Sequence, residues 1–236
     1  MEKSVEKVST GSEAIDWLLD GGFESDIVTT IFGPPGSGKS NITQLFALHL
    51  AEKGKKTIFI DTENSISFER IKQLKSNYEH LISKIIILTP TSFKEQGEAI
   101  SELPKLVQKE KPGAIIIDSI AALYRLERGY ETEATIANAL LAEQLAVLAR
   151  IAKKHQIPVL LTDHIYTDFE TKETFIVGGD VLKYISKCLI GLDIKNNLRR
   201  AYIYKHRSIK EGREVYFEIR QNGIFKVEKK RFGLFC

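Results

Sequence analysis

Residues 33–40 read Gly33-Pro34-Pro35-Gly36-Ser37-Gly38-Lys39-Ser40, which satisfies G-x-x-x-x-G-K-[ST]. They stand between an apolar run at residues 27–32 and a helix-forming run that begins at Asn41. That order of strand, glycine-rich loop and helix suits a di- or triphosphate. Glycine at 33, 36 and 38 opens backbone conformations closed to residues bearing a Cβ, so successive N–H groups can converge on phosphate oxygens. The helix that follows aims its positive end at the same anion. Lys39 supplies a point charge for the outer phosphates, and the Ser40 hydroxyl a ligand for Mg²⁺. The run from Gly33 through Asn41 is the expected binding segment for ATP with Mg²⁺. Asp118, closing the apolar run AIIID, is the expected second acidic partner of the metal, through Ser40 or bound water. Glu63 lies just beyond the run TIFID, where a carboxylate can orient or deprotonate the water that attacks a γ-phosphate. It also reads as a plain surface glutamate in a turn.

These residues need elements to hold them. Apolar runs at residues 26–32, 56–61, 85–88, 114–117 and 157–162 alternate with helical patterns at 38–53, 68–74, 93–110 and 132–155, a βα alternation that predicts a parallel sheet covered by helices. The continuous apolar character of residues 85–88 predicts a buried strand. Pro104 predicts a kink or break in the helix around it. Thr10 or Ser12 can cap a short amphipathic helix that Gly21-Gly22 ends. Residues 163–174 read as a polar region. From Ser186 onward the pattern is strands alone, at 188–194, 201–205, 215–220 and 224–227, which predicts an antiparallel, partly exposed extension. The expected architecture is an α/β ATPase core, mostly parallel and helix-covered, with antiparallel C-terminal strands.

With 236 residues and 43% hydrophobic composition the chain can bury one sizeable core, so a single domain over residues 1–236 is expected. Residues 1–10 are charged and polar, unlike a signal peptide, and no apolar run of about 18 residues stands out. A cytoplasmic protein without a membrane partner is the expectation. Cys188 and Cys236 form no C-x-x-C pair, so no zinc site or disulfide framework is indicated. Residues 195–231 hold twelve Lys/Arg against four Glu, a local +8 within a chain whose net charge is +3. The excess points either to a polyanion partner or to a solvated basic sheet edge. The apolar end at residues 231–236 is suited to docking on the domain's own core or on a protein partner.

The segments VSTGSEAIDWLLDGGF, GPPGSGKS, FIDTENSISFERI and AIIIDS, in this order and spacing, resemble the RecA/RadA recombinase core and are most similar to its archaeal RadB-type branch. The resemblance runs from about residue 8 to residue 225. It implies that Glu63 is the catalytic glutamate and that Arg70 stacks its planar guanidinium over the adenine base. It places a first DNA-binding loop at residues 124–133, with Arg125, Arg128 and Tyr130 as contacts, and a second at 166–180, with Gly178-Gly179 at its exit. It further implies that Lys205 and Arg207, on one face of a strand by alternation, reach the γ-phosphate of a neighbouring subunit. Two departures stand out. Where recombinases typically carry Asn-Gln after the strand PVLLT, this chain has Asp163-His164. His164 then either hydrogen-bonds the phosphate in place of the glutamine or holds the position with nucleotide-to-DNA coupling lost. Only 32 residues precede the phosphate loop, which predicts no separate N-terminal helical DNA-binding domain and makes ordinary filament formation doubtful.

The function these features imply is an accessory or mediator factor of homologous recombination and DNA repair. It would bind ATP and single- or double-stranded DNA, hydrolyse ATP weakly, and contact a recombinase, other repair proteins or further copies of itself. The alternatives are a KaiC-like regulatory ATPase acting on a protein partner and a small-molecule phosphotransferase, although nothing reads as an acceptor-binding lid.

Overall fold

The computed structural model describes residues 5–127, 131–167, 174–195 and 198–228. In chain order the elements are β1 (Lys7–Val8), α1 (Glu13–Leu18), β2 (Phe23–Glu24), β3 (Val28–Gly33), α2 (Lys39–Glu52), β4 (Thr57–Asp61), α3 (Phe68–Leu74), α4 (Tyr78–Ile82), β5 (Ile85–Leu88) and α5 (Phe93–Glu110). There follow β6 (Ala114–Asp118), α6 (Ala122–Glu127), α7 (Glu131–His155), β7 (Val159–Thr167), β8 (Thr174–Ile176), α8 (Gly179–Ile185), β9 (Cys188–Lys195), β10 (Leu198–His206), β11 (Glu214–Arg220) and β12 (Gly223–Val227). The main sheet runs β12-β11-β10-β9-β3-β7-β6-β4-β5, with β8 added to β7. From β9 to β5 neighbouring strands are parallel, and from β9 to β12 they are antiparallel. The alternation of strand and helix patterns therefore gives the expected parallel core with an antiparallel extension.

Strands β3, β4 and β6 are buried along their whole length because helices cover both faces, which is why their sequences are continuously apolar instead of alternating. One core, with Ile15, Phe46, Phe59, Ile190 and Phe217, lies on the side of α1 and α2. The other, with Ile58, Ile117, Leu145, Leu148 and Leu161, lies on the side of α5 and α7. The phosphate loop, Glu63, Asp118 and His164 all fall at the carboxyl ends of parallel strands, where open α/β sheets gather ligands.

Several expectations need correction. Strand β5 is only half-buried, because it is the sheet edge and an apolar run does not reveal how many neighbours a strand has. Helix α5 runs unbroken through Pro104, which lies on its exposed side. Ser12 precedes α1 but makes no side-chain cap; its hydroxyl donates instead to the Ile224 carbonyl at 3.1 Å. Strand β7 continues through the supposed polar region to Thr167, and α8 was not legible at all. Residues 135–155 are long and apolar enough to cross a membrane by length and composition. In the fold Leu141, Leu145, Leu148 and Ile151 of that stretch are core residues. Residues 231–236 lie outside the described residues.

Candidate nucleotide site

The loop between β3 and α2 takes the backbone its glycines permit: Gly36 and Gly38 have φ of 74° and 109°. A Cβ on Gly38 would come within 2.9 Å of Ile219 Cδ1, so β11 backs the loop closely, and the φ of Gly38 is one that residues with a Cβ rarely adopt. Lys39 is 6% exposed, and its Nζ donates to the carbonyls of Gly33 at 2.8 Å and Pro34 at 3.1 Å. Burial lowers its pKa, while Asp118, Glu63 and Asp163 pull the other way. Ser37 Oγ is buried with no hydrogen-bond partner among the described residues, an orphaned polar atom inside the loop.

Asp118 is fully buried at the end of β6. Its carboxylate accepts from the hydroxyls of Ser65 at 2.9 Å, Thr43 at 3.3 Å and Thr162, and the nearby Ser40 also favours its charged form. Desolvation outweighs these bonds and raises the Asp118 pKa, as expected of a carboxylate built to face a cation. The hydroxyls of Ser65, Thr43 and Thr162 were not foreseen; a threonine inside the apolar run VLLT was the one visible signal.

Glu63 sits in the turn after β4 and His164 on β7, in register with Gly33 of β3. The structure joins them: His164 Nε2 lies 2.9 and 3.0 Å from the two Glu63 carboxylate oxygens. That hydrogen bond, above the opposing cost of burial, holds the Glu63 pKa below its usual value, helped by Lys39 and Arg125. Glu63 is thus an exposed turn residue whose carboxylate meets the His164 ring. Beside them Asp163 is fully buried, accepting from the amides of His164 at 2.8 Å and Gly178 at 2.9 Å. Burial pushes its pKa up to about 7. A cavity of about 420 Å³ opens between Pro35, Glu63, Arg125, Asp163, His164 and Val177.

Arg70 Nε donates to Asn41 Oδ1 at 2.8 Å and Nη1 to the Gln221 carbonyl at 3.0 Å, so the two predicted nucleotide contacts hold each other. Arg70 Nη2 is buried without a partner among the described residues. In the first predicted DNA loop Tyr124 is core, packed edge-on to Phe93 and bonded to Asn138, because α6 extends through residue 127. Arg125 is exposed and lines the cavity; Arg128 and Tyr130 lie outside the described residues. In the second, Tyr166 stacks on Phe175 at 5.6 Å across the β7–β8 pair. Lys205 and Arg207 do not converge on an open target. Lys205 Nζ bonds the carbonyls of Lys183 and Ser186 at the end of α8, and Arg207 pairs with Glu24 and Asp26. The basic segment is also quieter than its sequence, since Arg200 pairs with Asp193 and Glu214, and Arg213 with Asp20.

The family profile described as Rad51 matches residues 1–227. The chain belongs to the Rad51 family. Among Rad51-family relatives it is 40% identical over 226 residues to the protein described as DNA repair and recombination protein RadB from Methanobrevibacter smithii, covering 92% of this chain and 95% of that one. It is 41% identical over 217 residues to the protein of the same description from Methanococcus maripaludis, covering 91% and 99%. A solved structure titled as the RadB recombinase matches with a TM-score of 0.79 at 36% identity, over 93% of this chain and 99% of that one. The fold is accordingly the RecA-type core, and the archaeal RadB-type resemblance holds over most of the chain.

Proposed function

We propose that this Rad51-family chain binds ATP with Mg²⁺, engages DNA, and acts in the cytoplasm as an accessory or mediator factor of homologous recombination and repair, hydrolysing ATP slowly. The observation that carries the nucleotide reading is the convergence of Lys39, Ser40, Asp118 and Glu63 on one loop at the strand ends, with the orphaned Ser37 hydroxyl among them. The residues fit the metal: Ser40 and Asp118 would hold Mg²⁺, whose chemistry when bound is to neutralise charge on the phosphate oxygens. Lys39 neutralises charge on the outer phosphates, and the loop amides fix the triphosphate in line. Glu63 orients the attacking water and takes its proton. Lys205 and Arg207 are held by partners within the chain, so neither reaches a γ-phosphate without an exchange of partners, and slow turnover follows.

The recombination role draws on the RadB relatives, and DNA engagement on the exposed Arg125 lining the cavity and on the Tyr166–Phe175 stack across β7 and β8. Repair proteins or further copies of the chain are the proposed protein partners, on a single domain. A second reading, a regulatory ATPase acting on a protein, is favoured by the internal pairing of Arg200, Arg207 and Arg213, which removes much of the apparent polyanion surface. Fluorescence anisotropy with labelled single-stranded DNA at several salt concentrations separates them. Binding whose log K falls linearly with log salt supports the first reading; its absence with and without ATP, while ATP itself binds, supports the second.

A further inference from the structure

The candidate nucleotide site occupies the carboxyl ends of the parallel strands; their amino ends carry a different chemistry. Backbone hydrogen bonds set the strand entries side by side. The Thr57 amide donates to the Lys84 carbonyl at 3.0 Å, Gly113 to Lys56 at 2.8 Å, Ile115 to Pro158 at 3.1 Å, Val159 to Ile27 at 3.3 Å and Lys187 to Val28 at 3.0 Å. Lysines from distant parts of the chain therefore fall into one row along β5, β4, β6, β7, β3 and β9. Lys55 precedes β4, Lys84 β5, Lys111 β6 and Lys187 β9, while Lys153 and Lys154 end α7 ahead of β7. Spread through the sequence, they form no basic run there. Lys55, Lys111, Lys153, Lys154 and Lys187 are exposed, and among the described residues none of these five is in an ion pair. Glu110, Glu52 and Asp26, the carboxylates beside the row, are already taken by Lys56, Lys75 and Arg207. A helix C-terminus favours one nearby cation, but α7 ends on two lysines and a histidine, and Lys55 lies past the end of α2.

We infer that this row of lysines is a second polyanion surface, at the end of the sheet away from the nucleotide site, and that its ligand is the phosphate backbone of duplex DNA. The inference extends the DNA reading given above, which rests on residues near the carboxyl ends of the strands. Six neighbouring strands about 4.8 Å apart give the row a length of about 24 Å, which matches about seven base pairs at a rise of about 3.4 Å each. The surroundings choose among polyanions. A single strand is held by stacking its bases on aromatic rings, and a membrane surface takes apolar side chains as well as charge. Beside these lysines the chain places Gly54, Pro112, Gly113 and Gln156, and the exposed aromatic nearest in sequence is Tyr184, 5.4 Å from Lys187 Nζ. One tyrosine serves neither mode. A duplex asks for charge alone, since its phosphates supply most of the contacts. With the two surfaces at opposite ends of the sheet, one chain can hold two DNA segments at once.

The test is fluorescence anisotropy of the full chain with a labelled duplex of about 20 base pairs over a range of salt, in the parent and in the triple variant Lys55→Gln, Lys111→Gln, Lys154→Gln. The parent's log K is expected to fall linearly with log salt. The variant is expected to flatten that slope by about 2.7 units, at roughly 0.9 for each lost phosphate contact, and to bind about tenfold or more weakly. A control triple, Lys72→Gln, Lys94→Gln, Lys105→Gln, removes the same charge from exposed positions on α3 and α5. It is expected to keep duplex affinity within about twofold at physiological salt, where screening confines each charge to about 8 Å. Both triples should melt and bind Mg-ATP as the parent does, because every exchanged side chain is exposed. Equal losses in the two triples, or an unchanged slope in the first, would overturn the inference. Unlabelled single-stranded DNA at saturation is expected to leave the duplex bound. Full displacement would mean one surface for both, which removes the second site and leaves the DNA reading standing. If the parent binds neither form, that reading falls and the inference with it. Sedimentation with phosphatidylserine vesicles checks the competing class: vesicle binding that the first triple abolishes, with duplex binding intact, would assign the row to lipid and refute the duplex.

Discussion

Asp163→Asn tests how the fold holds a buried carboxylate one residue from the site. Asp163 is fully buried, and burial raises its pKa from 3.8 to about 7. For an acid with a raised folded pKa, the unfolded chain releases its proton first. Below about pH 4 both states are protonated and Asp163 costs nothing; as pH rises to about 7, stability is lost, and beyond that the loss levels off. At 1.36 kcal/mol per unit of pKa difference, the interval from pH 5 to pH 8 removes about 3 kcal/mol. Asparagine cannot ionise, so this loss is absent from the variant. Its amide also places an NH₂ against one of the two backbone donors that the aspartate accepts from, costing roughly 1–3 kcal/mol, but that cost is the same at every pH and cancels from the slope. Urea unfolding followed by circular dichroism at pH 5 and pH 8 reads the difference. The parent is expected to lose about 3 kcal/mol more than the variant between the two pH values. Parallel pH curves would refute the reasoning, because they would mean that Asp163 is as easily ionised in the fold as in the unfolded chain.

Lys39→Ala removes the loop's one side-chain cation and is expected to weaken ATP binding by at least tenfold in a calorimetric titration. Glu63→Gln keeps size and a hydrogen-bonding group, so ATP affinity is expected to stay within about twofold while hydrolysis, read by phosphate release, falls about 10²-fold or more. Asp118→Asn relieves a desolvated charge and is expected to raise the melting temperature in chelator while abolishing any further rise with Mg-ATP; equal responses to Mg-ATP in parent and variant would refute its place at the metal. Arg207→Ala strips the guanidinium from Glu24, which is 4% exposed and otherwise faces only His206 at 3.9 Å among the described ion pairs, and is expected to lower stability by on the order of 2 kcal/mol. Unchanged stability combined with the loss of hydrolysis that rises with protein concentration would return Arg207 to the role of a trans cation.

The parts of this protein that could be read from sequence are those whose chemistry is local. Residues 33–40 declare themselves by strand, loop and helix in immediate succession, and Asp118 by closing the apolar run AIIID. The Glu63–His164 pair did not, since it needs β4 and β7 in one sheet with β6 between them, and residues 101 apart carry no mark of that. The partners of Lys205 and Arg207 within the chain were hidden for a related reason. Alternation along a strand says which side a residue faces but nothing of the α8 carbonyls, Glu24 and Asp26 waiting there. The +8 of residues 195–231 was a true count, yet Asp20, Glu24, Asp26 and Asp193, all outside that segment, meet its arginines in the fold. Strand β5 was read as buried because apolar content reports what a residue tolerates, and its place at the edge is a fact of topology alone.

Helix α1 rests on the strands made last. It packs on β10, β11 and β12, Ser12 bonds the Ile224 carbonyl, and Asp20 meets Arg213. During synthesis the N-terminal segment therefore leaves the ribosome with Ile15, Leu18 and Leu19 bare, and its platform arrives some 200 residues later, roughly 10–40 s at ordinary elongation rates. For that interval the first helix is a sticky, unhoused segment, and the chain can close only after its far end has emerged. A nascent chain stalled before residue 224 would display that apolar stripe to chaperones and to other nascent chains alike.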